Sequence, residues 1–247
     1  MSLLLKFIKK VHELKILPKL LPIILLLTIV IYDVPTNDSW STWTLPLSGK
    51  IFIVDPGHGG YDGGASGGID VVEKEITLKI GLYLADYLNE AGAFVIMTRE
   101  SDKDLIGEVK LSTKKLTDLK NRINLANKSM GDFFISIHAN STNSNQWRGA
   151  QTFYYPVLIE NKTIAEDIQD QLIINLQNTD RKPQPRTNIL VLKYVEMPSV
   201  MVEVGFLSNS EEAQLLNDMN YQKKVAFAIY QGILSYYSKK ENLTNEK

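Results

Sequence analysis

Apolar residues follow two different spacings between Lys50 and Tyr237. Short, nearly continuous apolar runs such as Ile51–Asp55 predict buried strands. Longer segments with apolar residues three or four positions apart predict amphipathic helices, and Glu73–Ala91 is the clearest example. Because strands and helices alternate, we predict an α/β fold: a single domain with a mostly parallel central sheet covered by helices on both faces.

These spacings divide the region into individual elements. The predicted strands are Ile51–Asp55, Ala93–Thr98, Phe133–Ala139, Ala150–Pro156, Ile189–Lys193 and Ser199–Phe206. The predicted helices are Glu73–Ala91, Leu116–Lys128, Asn161–Asn178, Glu211–Asn217 and Tyr221–Tyr237. The polar segment Ser101–Thr117 is predicted to be a surface loop that borders a site.

The N-terminal segment 1–32 has a lysine-rich flank followed by an apolar core, which is the pattern of an export signal. Its apolar run, Leu20–Tyr32, is short for a membrane span, which needs about twenty residues. Since no small-residue cleavage site follows at Asp33–Asn37, we expect an uncleaved signal-anchor rather than a cleaved signal peptide. A buried core helix is the third interpretation, which Pro18 and Pro22 disfavour.

The expected domain organisation follows from these patterns. Segment 1–32 is the signal-anchor, 33–49 is a linker rich in Pro, Ser, Thr and Asp, 50–238 is the folded domain, and 239–247 is a polar tail. Because the basic flank of a signal-anchor stays in the cytoplasm, the domain is expected to be exported and held at the outer face of the membrane.

Composition excludes several classes of function. The net charge is −1 and the sequence pI is about 6.3, so the chain lacks the basic footprint of a nucleic-acid-binding protein. It has no cysteine, which excludes disulfides, a thiol nucleophile and cysteine-ligated zinc. A metal would therefore have to be held by His, Asp and Glu.

Two of the three histidines lie at the ends of predicted strands. His58 follows the first strand within a glycine-rich loop, and His138 ends the strand that begins at Phe133. Since the carboxyl ends of strands in an open α/β sheet are where sites assemble, the two imidazoles are predicted to converge on a metal. The alternatives are an exposed histidine on a turn, a phosphate-binding loop, or a core histidine bonded to a carbonyl.

Carboxylates supply the remaining candidates. Spacing alone leaves the third metal ligand open among Asp55, Asp62, Asp70, Glu73, Glu75 and Glu203. Glu73 begins the helix after the glycine-rich loop, where it would equally well complement the helix dipole. Glu203 lies inside an apolar strand, where an unpaired carboxylate is costly. We interpret Glu203 as a general acid/base, with a salt bridge as the alternative.

Several segments in the same order as in a known family mark a resemblance. They are Asp55–Ala65 (DPGHGGYDGGA), Glu73–Leu78 (EKEITL), Met97–Asp102 (MTRESD), Asn121–Asn127 (NRINLAN), Ser136–Ser141 (SIHANS) and Val202–Asn209 (VEVGFLSN). Through these the chain resembles the zinc-dependent N-acetylmuramoyl-L-alanine amidases of the Amidase_3 family. Asn37–Trp40 and Leu45–Lys50 add a resemblance to the sporulation type that acts on the spore cortex.

The resemblance implies a zinc amidase domain over residues 50–238. It implies that His58, Glu73 and His138 bind zinc and that Glu203 is the catalytic acid/base. The implied reaction is hydrolysis of the amide between the lactyl group of N-acetylmuramic acid and L-alanine of the peptide stem, which allows muramic-δ-lactam to form in the cortex. Arg186 and Asn140 are further candidates for contact with substrate.

Two other functions remain as alternatives. One is a non-catalytic peptidoglycan-binding or regulatory module with the amidase fold, and the other is a zinc peptidase, which the lack of an H-E-x-x-H motif disfavours. The expected partners are peptidoglycan strands and the membrane, with no nucleic acid. Because no wall-binding repeat follows the domain, a protein partner for targeting or activation is also expected.

Overall fold

The computed structural model describes residues 5–6, 10, 22–28, 45–68, 71–107 and 113–245. Met1–Trp43 and Thr44–Lys247 form two separate compact units. Residues 22–28 of the first unit are helical. Among the described residues, no helix has both the length and the hydropathy that crossing a membrane requires. The signal-anchor stays a prediction, and most of it lies outside the described residues.

The second unit is built around a six-stranded sheet with the order β2-β1-β3-β6-β4-β5. The strands are β1 (Ile51–Pro56), β2 (Phe94–Met97), β3 (Phe133–Asn140), β4 (Gln151–Tyr154), β5 (Gln184–Pro185) and β6 (Ser199–Phe206). The pairs that join β2, β1, β3 and β6 are parallel, whereas β4 runs antiparallel to β6. The predicted mostly parallel sheet is therefore confirmed.

Helices cover both faces of this sheet, as predicted. They are α1 (Glu73–Glu90), α2 (Lys114–Lys128), α3 (Ile159–Leu176), α4 (Leu190–Tyr194), α5 (Ser210–Asn217) and α6 (Met219–Asn245). Alternation along β3 directs Ile135 and Ile137 into the larger core, which includes buried residues of α1, α3 and α6. Phe134 points to the smaller core against α2 and α4.

Two elements differ from the predictions. The expected strand Ile189–Lys193 is wrong, because Leu190–Tyr194 forms the short helix α4 with Val191 and Leu192 buried. A short apolar run does not distinguish a buried strand from one buried helical turn. Here the packing of Val191 and Leu192 in the smaller core favours the helical turn. Strand β5 was missed because its two residues are exposed and carry no apolar pattern.

The ends of the domain extend beyond their predicted limits. Leu47, from the predicted linker, is fully buried in the larger core, and its N–H donates to the Ala91 carbonyl. Helix α6 continues past Tyr237 to Asn245. The remaining domain boundaries stay predictions.

The crossing of α3 and α6 generates a prediction about stability. A Cβ at Gly232 would overlap the Ile168 Cα, which is backbone and cannot rotate away. Gly232→Ala should therefore lower the free energy of unfolding by about 1–3 kcal/mol, although alanine ordinarily stabilises a helix interior. Denaturant unfolding of the full chain tests this, with exposed Lys224→Ala as the control. An unchanged or more stable Gly232→Ala variant would contradict this packing.

Candidate metal centre

His58, Glu73 and His138 meet at the carboxyl edge of the sheet. His58 follows β1, Glu73 is the first residue of α1, and His138 lies in β3 beside β1. One ligand atom from each of the three residues lies within 4.8 Å of the others. Two imidazoles and a carboxylate at this spacing form a group that can hold a metal ion.

Glu73 is the centre of this cluster. Its Oε2 lies 3.1 Å from His58 Nε2, and its Oε1 lies 3.0 Å from His138 Nδ1. The N–H groups of Ala65 and Ala139 also donate to it. The carboxylate is therefore turned toward the cluster and not toward the end of α1, where no side chain caps the helix.

Charge in the cluster is arranged to favour a cation. Burial opposes ionisation of Glu73, but hydrogen bonds from His138 and then His58 hold the pKa of this carboxyl well below its usual range. Burial would lower the pKa of His138, yet the hydrogen bond and negative charge of Glu73 raise it to about 9. A permanently ionised carboxylate thus stabilises positive charge between the two imidazoles.

Two glycines make room for these side chains. A Cβ at Gly57 would overlap the His138 imidazole. A Cβ at Gly64 would lie 2.5 Å from Glu73 Oε2, and the φ of +71° at Gly64 is one that glycine adopts most readily. His58 itself has a φ of 63°, an uncommon conformation for a residue with a side chain. The surrounding contacts must therefore hold this loop in place.

Asp62 supports His58 and does not join the cluster. Its Oδ2 lies 2.9 Å from His58 Nδ1, and its Oδ1 lies 3.0 Å from Lys115 Nζ. Burial raises the pKa of Asp62, but hydrogen bonds from His58 and Lys115 leave it below its ordinary value. When Nδ1–H donates to this carboxylate, Nε2 faces Glu73, and its lone pair becomes available to a metal once Nε2 carries no proton.

The other acids considered as third ligands have different surroundings. Asp55 is buried and accepts hydrogen bonds from Arg122, Thr98 and Ser136. Glu75 is exposed on α1. Asp70 lies outside the described residues.

Glu203 lies beside the cluster with one carboxylate oxygen unpaired. It is the register partner of His138 across the parallel β3–β6 pair, and its Oε2 is buried without a hydrogen bond. Burial raises the pKa of Glu203 to about 7, with a further increase from Glu73 that opposes the effect of the two imidazoles. In the described part of the chain no lysine or arginine forms an ion pair with it, so the salt-bridge interpretation is not supported.

A cleft of about 240 Å³ opens next to the cluster. His58 and His138 form part of its wall, together with Asp62, Lys115, Leu119, Leu190 and Met201. Arg186 and Asn140 are not among the described residues that line it. The Arg186 guanidinium lies over the Phe153 ring at 5.1 Å, and the Asn140 carbonyl accepts from the Leu207 N–H. Contact of these two residues with substrate stays a prediction.

Two buried arginines beneath the histidine loop were not singled out as site residues from the sequence. Arg122 donates to the carbonyls of Pro56 and His58, and Arg99 donates to those of Pro56 and Gly57. Both lie in segments that carry the family resemblance, Met97–Asp102 and Asn121–Asn127. Both arginines have polar neighbours in sequence, so their place in these shared segments was the signal that could have identified them.

Comparison with known proteins assigns the family. Residues 52–235 match the Amidase_3 family model, which describes N-acetylmuramoyl-L-alanine amidases. The chain belongs to this family. It is 50% identical over 230 residues to the germination-specific N-acetylmuramoyl-L-alanine amidase of Bacillus subtilis (strain 168), covering 92% of this chain and 97% of that protein. The predicted resemblance is therefore confirmed.

Other members of the amidase family give the same assignment. The LytC amidase of Bacillus subtilis (strain 168) is 36% identical over 194 residues, which are 78% of this chain and 36% of LytC. Among solved structures, the CwlD amidase from Clostridioides difficile, in complex with the GerS lipoprotein, superimposes with a TM-score of 0.75 at 40% identity. That match covers 76% of this chain and 98% of the other.

The charge arrangement predicts that metal binding releases a proton. A protonated imidazole has no lone pair for a metal, and the pKa of His138 is about 9 in the metal-free amidase. Affinity for a divalent metal should therefore rise with pH through neutrality, with about one to two protons released per metal near pH 7, from His138 and in part from Glu203. Calorimetry in two buffers of different ionisation enthalpy measures this release.

Matched acids on α1 provide the control for metal binding. Glu73→Gln should lower metal affinity, whereas Glu75→Gln, an exposed neighbour on the same helix, should leave it unchanged. Metal affinity that does not vary between about pH 6 and pH 8 would contradict this account of the cluster.

Proposed function

We propose that the chain is a zinc-dependent peptidoglycan amidase acting in the spore cortex. It would hydrolyse the amide between the lactyl group of N-acetylmuramic acid and the L-alanine of the peptide stem, so that muramic-δ-lactam can form. The observation that carries the proposal is the unpaired, buried Oε2 of Glu203 beside a cluster of two imidazoles and a carboxylate. The identity with the germination-specific amidase supports the spore assignment.

The residues present fit a zinc ion. Zinc accepts imidazole and carboxylate ligands, and two histidines with a glutamate are a common catalytic set. His58, Glu73 and His138 would hold it, with Asp62 fixing the tautomer of His58. When bound, zinc supplies Lewis-acid chemistry, in that it polarises a carbonyl and lowers the pKa of water.

Glu203 would move the proton during the reaction. Its Oε2 accepts a proton from the attacking water as the new C–O bond forms at the lactyl carbonyl carbon. The same oxygen then delivers that proton to the L-alanine nitrogen as the C–N bond breaks. The products are a lactyl carboxylic acid, which loses its proton to solvent, and a free L-alanine amino terminus, and Glu203 regains its ionised state.

Location and partners belong to the same proposal. The lysine-rich flank and the apolar run at the N-terminus support export of the domain and its anchoring at the outer face of the cytoplasmic membrane. The domain would then work in the cell wall or in the forespore intermembrane space. The Clostridioides difficile CwlD amidase is solved in complex with the GerS lipoprotein, which supports an activating or targeting protein partner for this chain. A non-catalytic role is disfavoured, because a binding module gains nothing from an unpaired Glu203.

Muropeptide hydrolysis tests the reaction directly. The full-length chain, loaded with zinc, should release peptides with free L-alanine amino termini from muropeptides and from cortex strands. A chelator should abolish this release and added zinc should restore it, since the attacking water depends on the metal. Release that is unaffected by complete metal removal would refute the zinc-dependent mechanism.

Replacement of Glu203 separates chemistry from metal binding. Glu203→Gln should bind zinc like the wild type but lose about 10²–10⁴-fold in kcat, because a carboxamide cannot accept the proton. Exposed Glu211→Gln is the matched control and should keep full activity.

The pH profile gives the same variant a second readout. Since the base must be ionised, wild-type kcat/KM should fall as pH falls through the pKa of Glu203, which is about 7 without metal and lower beside a bound cation. This acidic limb should be absent from the residual activity of Glu203→Gln. Near-normal turnover in the zinc-loaded variant would exclude Glu203 as the acid/base.

A further inference from the structure

We propose that Arg99 is a positioning residue for the metal centre, which fixes the His58 loop against the first turn of α1 and thereby sets zinc affinity. The inference rests on the proposed function, because it assigns Arg99 a role toward the zinc that His58 and Glu73 would hold. Arg99 lies just beyond β2, is 1% exposed, and does not line the cleft.

The hydrogen bonds of Arg99 join the two segments that carry metal ligands. On the His58 side, Nε donates to the Pro56 carbonyl and Nη2 to the Gly57 carbonyl, each at 2.9 Å. On the α1 side, Nη2 lies 2.7 Å from the Lys74 carbonyl and 3.1 Å from Thr77 Oγ1. One planar guanidinium thus bridges residues adjacent to His58 and residues adjacent to Glu73.

Thr77 forms a second, smaller bridge between the same segments. Its hydroxyl donates to the Gly57 carbonyl at 2.8 Å while it also accepts from Arg99. The loop also lies directly over the arginine, since a Cβ at Gly59 would meet Arg99 Cδ at 2.9 Å. The His58 loop, the Arg99 side chain and the first turns of α1 are therefore joined by one connected group of hydrogen bonds.

The chemistry of this bridge requires an arginine. Its acceptors are backbone carbonyls and one hydroxyl. Besides the contacts above, Nη1 donates to the Ser101 carbonyl at 3.2 Å. Nη2 contacts both segments, while Nε and Nη1 hold the guanidinium in place at the Pro56 and Ser101 carbonyls; a lysine ammonium has no donors for these last two positions. Burial, and then the charge of Arg122, lower the pKa of Arg99 to about 10, so it stays cationic at neutral pH.

Arg99 and the neighbouring Arg122 have different kinds of hydrogen-bond partner. Arg122 pairs with the carboxylates of Asp55 and Asp118, both at 2.7 Å, and so belongs to a charge network that also stabilises the fold. Arg99 instead donates its hydrogen bonds mainly to the loop that carries His58 and to the start of α1. Its loss should therefore disturb the relative placement of two zinc ligands more than it disturbs the sheet.

Zinc affinity of the full-length chain tests the role of Arg99. Arg99→Lys and Arg99→Met should weaken zinc binding about 10–100-fold in competition with a chromophoric chelator, the loss typical when a ligand's supporting contacts are removed. Lysine should not rescue, because charge alone does not reproduce the fork. Saturating zinc should restore much of kcat, since Glu203 is untouched.

Asn161→Ala is the matched control. Asn161 is equally buried and also bridges two segments, accepting from the Ser199 N–H and donating to the Tyr155 carbonyl, but it does so at the start of β6, the opposite edge of the sheet. Unfolding in excess chelator should show a loss of stability in this variant, while its zinc affinity stays at the wild-type value. A purely structural role for Arg99 would make it behave like this control.

Thr77 variants decide the question if the Arg99 variants do not fold. Thr77→Val should weaken zinc binding by a smaller factor than Arg99→Lys, and Thr77→Ser, which keeps the hydroxyl, should retain it. Wild-type zinc affinity in Arg99→Lys would overturn the positioning role of Arg99 but not the proposed function. If the Arg99 variants are unfolded, wild-type zinc affinity in Thr77→Val would do the same. A wild-type chain that binds no zinc would instead overturn the proposed function.

Discussion

The backbone carbonyls of Pro56, Gly57 and His58 leave the sheet where β1 ends, yet they remain inside the protein. A buried carbonyl without a partner is costly, so the fold must supply donors at this point. Arg99 and Arg122 supply them, and together they bond to all three carbonyls. These bonds help to hold His58 in its left-handed conformation. His58, one of the residues proposed to hold zinc, lies on this turn, and Arg99 connects the turn to the helix that begins at Glu73.

The charges at this edge of the sheet favour a bound cation in the cluster of His58, Glu73 and His138. Asp55 and Asp118 balance Arg122, and Asp62 pairs with Lys115, so the carboxylates of Glu73 and Glu203 are left for whatever occupies the cluster. Without a metal, Glu73 stabilises a proton on His138 and raises the pKa of Glu203. A bound dication would take the place of that proton and favour the ionised form of Glu203, which is the form that a base needs.

Sequence patterns predicted the sheet and the convergence of His58 and His138, because strand ends in a parallel sheet share one edge. They left the third ligand open among six acids, Asp62 and Glu73 among them, because only the fold decides which carboxylate turns toward the two imidazoles. The predicted strand at Ile189–Lys193 was wrong because four consecutive apolar residues fit either structure. Arg99 was missed because its partners are backbone carbonyls, which leave no trace in side-chain patterns.

Glu203 is the residue whose presence structural needs alone do not explain. A hydrophobic side chain in its place would remove a buried, unpaired oxygen and extend the apolar alternation of β6. Stability would therefore favour its replacement, and the strained His58 turn and the room left by Gly57 would be equally unnecessary without a ligand. These costs fall within one small region, next to one cleft. Their shared location is explained if the region binds a metal and transfers a proton, and no demand of folding explains it.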